Sequence, residues 1–246
     1  MKVLLIGDSC EDRYFYGDVK RLNPEAPVPI LEYKRGVTSK GMVWNVRENL
    51  RSFGVEVYTS THPEEIIKTR YIDEKSNQQI MRYDVEPKIE PLSFDFPPEW
   101  NNLYDALVIS DYNKGFLTTE KIFELTSRFV GPVFIDSKKT NLPADAYIKV
   151  NELEYERMAY CNYENLIITR GGDGAEYKGD LYPAEKVNVF DVVGAGDTFL
   201  AALTYGYLKY GRIDKAIPLA NKAAAVAVSH RGTYVLTEED VKKILC

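Results

Sequence analysis

The stretch Asp191-Val192-Val193-Gly194-Ala195-Gly196-Asp197-Thr198-Phe199 decides how the rest of the chain is read. It runs on into Leu200, Leu203, Tyr207 and Leu208, apolar positions at helical spacing, and Gly211 stands where a C-terminal cap belongs. The spacing predicts that Gly194-Ala195-Gly196 is a glycine turn opening a helix. Such a turn leaves successive backbone N–H groups pointing outward, and with the positive end of the helix dipole they form an anion hole. Glycine suits the turn because side chains would block close approach of the anion and because unusual backbone angles are expected there. Asp197 falls in the first helical turn, beside the hole. A carboxylate there can take the proton of a hydroxyl attacking a cradled phosphate. It can equally be a plain N-terminal acid that compensates the dipole. Other phosphate-loop signatures are missing from the sequence: no Gly-x-x-x-x-Gly-Lys-Ser/Thr, no Gly-x-Gly-x-x-Gly and no protein-kinase set.

Upstream of this turn the chain repeats one pattern. Short apolar runs finish on a polar residue: Lys2 to Asp8, Asp105 to Asp111, Pro132 to Asp136, Ala146 to Asn151 and Asn165 to Arg170. Runs of four to six apolar residues separated by helix-length segments predict a parallel sheet with crossover helices. In such sheets ligands sit beyond the carboxyl ends of the strands. Asp and Asn are also ordinary turn residues, but five such endings together point to one polar crevice. A second group of β-rich runs lies outside this sheet. Ala26 to Leu31 reads as an edge strand, since proline is tolerated there, and Lys68 to Asp73 with Gln78 to Asp84 reads as a hairpin around residues 74–77. These pieces would form a small second sheet, either a lid over the crevice or a dimer surface, or else a plain antiparallel extension of the main sheet.

Composition narrows the class. The 246 residues carry 31 Lys plus Arg against 37 Asp plus Glu, a net charge of −6, which argues against a dedicated nucleic-acid binder. Hydrophobic residues at 45% and charged residues at 28% fit an ordinary globular domain. Cys10, Cys161 and Cys246 are sparse and odd in number, so reduced thiols and a cytoplasmic location are expected. No run is long enough for a signal peptide or a membrane span. The only histidines are His62 and His230, and no Cys/His cluster has zinc-ligand spacing. Cys10 is expected to be a small packed thiol, Trp44 and Trp100 packing residues, and Pro218 a kink or a new first turn before Asn221.

Asp191 to Phe199 closely resembles the C-terminal signature of the ribokinase-like, or phosphofructokinase B, sugar kinases. Further motifs follow in the family's order over nearly the whole chain. Asn151-Glu152-Leu153-Glu154 is similar to its Asn-x-x-Glu motif, and Thr169-Arg170-Gly171-Gly172-Asp173-Gly174 to its Thr-x-Gly-x-x-Gly nucleotide loop. Ala220 to Ala225 resembles the helix whose asparagine lies by the adenine. The resemblance implies a three-layer α/β/α fold, with a mostly parallel central sheet and a small β-sheet lid from about residues 13–35 and 66–86, in one domain spanning 1–246. It also implies ATP-dependent transfer of the γ-phosphoryl group to a sugar hydroxyl. Asp197 would be the base, with Gly194, Ala195 and Gly196 as the anion hole. Lys138, Asn151, Thr169, Gly171, Gly174 and Asn221 would bind nucleotide. Asn151 and Glu154 would order Mg²⁺ through water, and Asp191 would help hold a monovalent cation, K⁺, with carbonyls near Gly232. Asp8, Asp12, Gly41, Asn45 and Lys114 would face the sugar, and Lys114, Arg82 or Lys138 a substrate phosphate. A homodimer through the lid sheet is expected, with no nucleic-acid or membrane partner.

One subgroup is a closer likeness. Asp8, Asp12-Arg13-Tyr14, Tyr16-Gly17-Asp18-Val19, Arg21 and Asn23 to Pro29 look like the heptose-7-phosphate 1-kinases, as do Asn77-Gln78-Gln79 with Arg82 and Ser110-Asp111-Tyr112 with Lys114-Gly115. The other readings are a kinase for another small sugar or alcohol, and a noncatalytic sugar-phosphate- or nucleotide-binding protein on the same scaffold. Departures from the pattern keep the last one open. The family's first glycine motif here reads Lys40-Gly41-Met42-Val43-Trp44-Asn45, with Met42 in place of the second glycine. Asp136-Ser137-Lys138 stands for Asp-Pro-Lys. After Val57 and again between Tyr155 and Asn165 the chain is shortened, in all by roughly 50 residues, about two crossover connections. Lost covering helices would leave apolar sheet surface to be met by oligomerisation.

Overall fold

A computed structural model of the chain describes residues 1–158 and 163–246; Cys161 and part of the shortened span 155–165 lie outside them. In chain order the elements are β1 (Lys2–Gly7), β2 (Ser9–Leu22), β3 (Pro29–Met42), α1 (Val43–Ser52), β4 (Glu56–Ser60), β5 (Ile67–Asp73), β6 (Gln78–Val85), β7 (Ala106–Asp111), α2 (Thr119–Arg128), β8 (Val133–Ser137), β9 (Tyr147–Asn151), α3 (Glu152–Arg157), β10 (Leu166–Thr169), β11 (Ala175–Tyr177), β12 (Asp180–Tyr182), α4 (Ala195–Tyr210), α5 (Ile213–Val228) and α6 (Glu238–Leu245). They form two compact units. Met1–Asp8, Met42–His62 and Ile89–Cys246 make the larger, Ser9–Gly41 and Pro63–Lys88 the smaller.

The larger unit is built on an eight-stranded sheet of order β12-β11-β10-β9-β8-β7-β1-β4. The strands from β10 to β4 are parallel, while β11 and β12 are antiparallel additions at one edge. The five predicted runs are all strands, each within a residue or so of its expected ends. Their apolar residues are buried on both faces, as a parallel sheet requires. Val3, Leu5, Ala106, Val108, Phe134 and Ile167 share one core with α1, α4, α5 and α6. The alternate residues Leu4, Ile6, Leu107, Ile109, Ile135 and Ile148 are equally buried. Ile89, Leu92 and Trp100 before β7, and Ile122 and Leu125 of α2, supply further buried apolar side chains. The expected exposure of apolar sheet surface is therefore not found at these strands. α5 runs unbroken through Pro218, which starts no new turn. Proline removes one N–H, and it stands on the exposed side of the second turn of a helix held by its buried face, Ile213, Ala216, Ile217, Leu219 and Ala220 among them.

The smaller unit is a four-stranded sheet of order β3-β2-β5-β6, separate from the main one. The hairpin β5–β6 lies where the sequence placed it, and Asn77 closes its turn at φ 57°. β3 is an edge strand, but it begins at Pro29 and runs to Met42, longer and later than Ala26 to Leu31. β2 has no alternating apolar signal in its sequence and is a 14-residue strand nonetheless, paired in parallel with β5. Phe15 touches the rings of both Tyr33 and Tyr71.

Met42 has φ 58° and ψ −127°, at the entrance to α1. This is where the resemblance expects a second glycine, and the backbone adopts a conformation that glycine alone takes freely. Strain of this kind costs about 1–3 kcal/mol. The Met42 side chain is buried, and burying a methionine contributes about 1.5–3 kcal/mol, enough to offset it.

Candidate active site

The parallel register brings the polar strand ends together. Thr169 is level with Asn151, Lys149 with Asp136, Asp136 with Ser110, and Ser110 with Gly7. Beyond them, in the larger unit, the glycine turn opens α4 as predicted. Gly194 is its N-cap at φ 80° and no side chain caps the end. Its carbonyl accepts the first intrahelical bond, from Thr198 N (3.0 Å), and Ala195 N–H is spent on Val192 O (3.3 Å). The helix end thus leaves the N–H groups of Gly196 and Asp197 as open donors.

Asp197 is buried and does more than cap a dipole. Tyr112 Oη donates to its Oδ1 (2.7 Å) and Asn45 Nδ2 to its Oδ2 (3.1 Å). Burial raises its pKa to about 6, against the pull of these two donors. Asn45 is itself fixed. Its Nδ2 also reaches Gly194 O (3.3 Å), and Asn49 Nδ2 donates to its O and Oδ1 (3.0 and 3.1 Å), while Leu236 N donates to Asn49 Oδ1. The α1 helix therefore carries a rigid amide into the site.

A cleft of about 710 Å³ opens beside the turn, lined by Ala195 and Gly196 and by the predicted nucleotide residues Asn151, Thr169, Gly171, Gly174 and Asn221. Its lining is also apolar in part, with Val187, Val189, Phe199, Ala224 and Val228, which suits the flat face of a base. Gly174 is required sterically: at φ 104° a Cβ would stand 2.0 Å from Tyr182 O. Asn221 Nδ2 donates to that same carbonyl (2.7 Å), so the amide braces the β12 end of the cleft. Thr169 Oγ1 is turned to Val150 O (3.1 Å).

Asn151 and Glu154 form a reciprocal capping box at the start of α3, each side chain accepting from the other's backbone N–H at 2.9 Å. Lys138 Nζ pairs with Glu154 Oε1. Lys138 therefore stands at this carboxylate rather than free for a substrate phosphate. The box fixes two hard oxygens at the end of β9 and the first turn of α3, each with a lone pair to spare, and an all-oxygen set of this kind fits a hydrated Mg²⁺. Asp191 ties its own loop to the one after α5, accepting from Val193 N (3.0 Å) and Gly232 N (2.9 Å).

Other expected sugar residues have structural partners. Asp8 is wholly buried and its Oδ2 accepts from Tyr112 N (2.8 Å) and Lys114 N (3.2 Å), so Lys114 meets it through the main chain. Burial holds the Asp8 pKa up. In the smaller unit Asp12 pairs with Arg70 (2.5 Å), and a Cβ at Gly41 would stand 2.2 Å from Asp12 Oδ2. Cys10 is packed there, its Sγ 3.7 Å from Asp12, and neither it nor Cys246 is in a disulfide. Arg82 is engaged with Asp84 (2.6 Å). Trp100 is a packing residue, stacked on Phe96.

Two residues escape the sequence reading. Tyr112 was matched only by likeness, with no role. Lys149 lies buried in β9 with Nζ 2.6 Å from Asp136 Oδ2. Burial pulls its pKa down, but Asp136 holds it above the ordinary lysine value. The signal that marks it is a lone charge inside the apolar run Tyr147-Ile148-Lys149-Val150. Among the described residues no helix is long and apolar enough to cross a membrane.

Residues 140–240 match the model of the "pfkB family carbohydrate kinase". The Bifunctional protein HldE of Helicobacter acinonychis is 31% identical over 307 residues, covering 99% of this chain and 66% of that protein. The chain thus spans just under two thirds of the length of such curated relatives. Since 307 − 246 = 61, at least 61 of the aligned positions stand opposite gaps in this chain. Among solved structures, Escherichia coli phosphofructokinase-2 in complex with potassium superposes with a TM-score of 0.72 at 16% identity, covering 98% of this chain and 97% of that one. Arabidopsis thaliana ribokinase complexed with ribose and ATP gives 0.69 at 14% identity, covering 99% and 98%. With this fold, this glycine turn and these relatives, the chain belongs to the pfkB family of ribokinase-like carbohydrate kinases.

Proposed function

We propose that the chain transfers the γ-phosphoryl group of ATP to a hydroxyl of a phosphorylated sugar, with heptose 7-phosphate phosphorylated at position 1 as the first candidate. The observation that carries this reading is Asp197: a buried carboxylate in the first turn of α4, next to open main-chain donors and directly after Ala195 and Gly196, which line a nucleotide-sized cleft. The acceptor oxygen attacks the γ-phosphorus in line, its proton passes to Asp197, and the bond from phosphorus to the β–γ bridging oxygen breaks to release ADP. Phosphoryl transfer of this kind asks mainly for positioning and charge neutralisation. The N–H groups of Gly196 and Asp197 meet the moving group, and Asn45 and Tyr112 hold the base in place. The adenine lies against the apolar lining near Asn221 and the phosphates along Thr169 to Gly174. Mg²⁺, held through water by Asn151 and Glu154, would supply charge neutralisation on the phosphates, and K⁺ beside Asp191 would steady the 191–193 loop.

The heptose assignment rests on the HldE relatives and on the sequence likeness of the 8–29 and 77–82 segments. A second copy of the chain is the proposed cover for the smaller sheet. One of its faces carries Phe15, Tyr71 and Met81 in register and Tyr83 two places along β6, with Tyr33, Met81 and Tyr83 more than half exposed. The test is ADP release with ATP, Mg²⁺ and a panel of free and phosphorylated sugars, on protein whose solution mass is measured alongside. Turnover confined to heptose 7-phosphate is the expected result. Turnover on another sugar or alcohol replaces the substrate, and nucleotide binding with no ADP from any acceptor leaves a noncatalytic binding protein.

A further inference from the structure

Of the charged residues lining the cleft that the mechanism above leaves unused, Lys149 is buried, whereas Glu152, Glu185 and Lys186 are exposed. It lies mid-strand in β9 and is only 4% exposed. Side chains alternate along a strand, so Lys149 projects to the opposite face from Ile148 and Val150. A Cβ added to Gly196 would stand 2.9 Å from Lys149 Nζ. The ammonium therefore rests against the main chain of the glycine turn, and Lys149, Ala195 and Gly196 line the same cleft. An ammonium has three donors. Among the described residues Asp136 takes one of them, at 2.6 Å, and two are left for a guest.

A counter-ion for Asp136 alone is a poor account of this placement. A buried ion pair adds little stability over an apolar pair of similar volume, because both charges lose their water. Nor does such a pair need a place in the wall of a cleft. A cation beside the open N–H groups of Gly196 and Asp197, by contrast, completes an anion cradle with donors on two sides. Glycine at 196 gains a second reason: any side chain there would push the ammonium away.

We propose that Lys149 is a catalytic residue, its ammonium donating to the non-bridging oxygens of the phosphoryl group in transit and offsetting the charge that builds there. The assignment rests on the kinase reading above. Lys149 forms no bond to phosphorus and gives up no proton; Asp197 remains the base.

The test compares the wild type, Asp136→Asn and the double variant Lys149→Met with Asp136→Asn. The double variant is used because Lys149→Met alone would strand a buried carboxylate and unfold the protein. Two readouts are taken: ADP release with the acceptor that the wild type uses, and the melting-temperature shift with Mg²⁺ and ADP, with and without aluminium fluoride, a mimic of the transferred group. The double variant is expected to turn over ~10²–10³-fold more slowly than Asp136→Asn, the range for losing one transition-state donor. It should also keep the shift caused by ADP and lose the added shift caused by fluoroaluminate. Turnover equal to that of Asp136→Asn, with the fluoroaluminate shift intact, reduces Lys149 to a counter-ion and overturns the proposal. A wild type that neither turns over nor responds to fluoroaluminate removes the kinase reading itself, a failure visible before any variant is compared.

Discussion

Asp197→Asn is expected to lower turnover by ~10²–10⁴-fold while raising the melting temperature. Both effects come from one cause. Burial in the larger unit raises the carboxyl pKa from 3.8 to about 6, with Tyr112 and Asn45 as the donors that keep it from rising further. At pH 7 the group is still mostly ionised and able to take a proton. Turnover in the wild type should accordingly fall as pH drops through about 6, and the Asn variant should lose that acid limb along with its rate. The stability term has the opposite sign. Between pH 3.8 and about 6 the folded chain holds a proton that the unfolded chain has released, so stability falls as pH rises through that window. The difference, 6 − 3.8 = 2.2 units, corresponds to about 3 kcal/mol of strain on the native state above the window. Removing the charge relieves up to about that much, and each kcal/mol moves the melting point by roughly 2–4 °C in a chain of this size. Steady-state kinetics from pH 5 to 9 and thermal melts at pH 8 read both. Wild-type-like turnover, or a lower melting point at pH 8, removes Asp197 from the role of buried base.

Gly194→Ala should be nearly as damaging, by a different route. Its φ of 80° costs an alanine about 1–2 kcal/mol. The added Cβ would also stand 2.6 Å from Asn45 Nδ2, the atom that holds Asp197. Asn45 has little room to retreat, since Asn49 grips its O and Oδ1 and is gripped in turn by Leu236 N. The carboxylate must then shift with it, and a displacement of about 1 Å at a reacting group costs on the order of 10²-fold in rate. Gly211→Ala is the matched control at the other end of α4. It has φ 65° and nothing within 4 Å of the added Cβ, so the backbone penalty appears in the melt without the loss of turnover. If the two variants lose the same stability and neither loses turnover, the contact between Asn45 and Asp197 does not matter to the reaction.

The glycine turn, the strand endings and the nucleotide loop were legible because each is a local rule. Glycine spacing, apolar run length and turn chemistry act over a few residues. Gly194, Gly171 and Gly174 do take positive φ, and Thr169, Asn151 and Asn221 do meet at one cleft. The long strand β2 was not legible. Its residues are mostly polar, and it is a strand because β5 and β3 pair with it. Asn151 and Glu154 show the ambiguity of a short motif: the same two oxygens serve a capping box and stand where a hydrated cation would be met.

The order of residues alone determined the run of parallel strands, the helix that begins after Gly194 and the acid in its first turn, since these follow from periodicity and backbone freedom within a single segment. Tertiary structure decided the chemistry of that acid. Asn45 comes from α1, Tyr112 from the loop after β7, and Lys149 and Asp136 from the facing positions of β9 and β8. Burial, hydrogen-bond partners and the field of neighbouring charges are properties of segments far apart in sequence, and they exist only once the sheet has set its register.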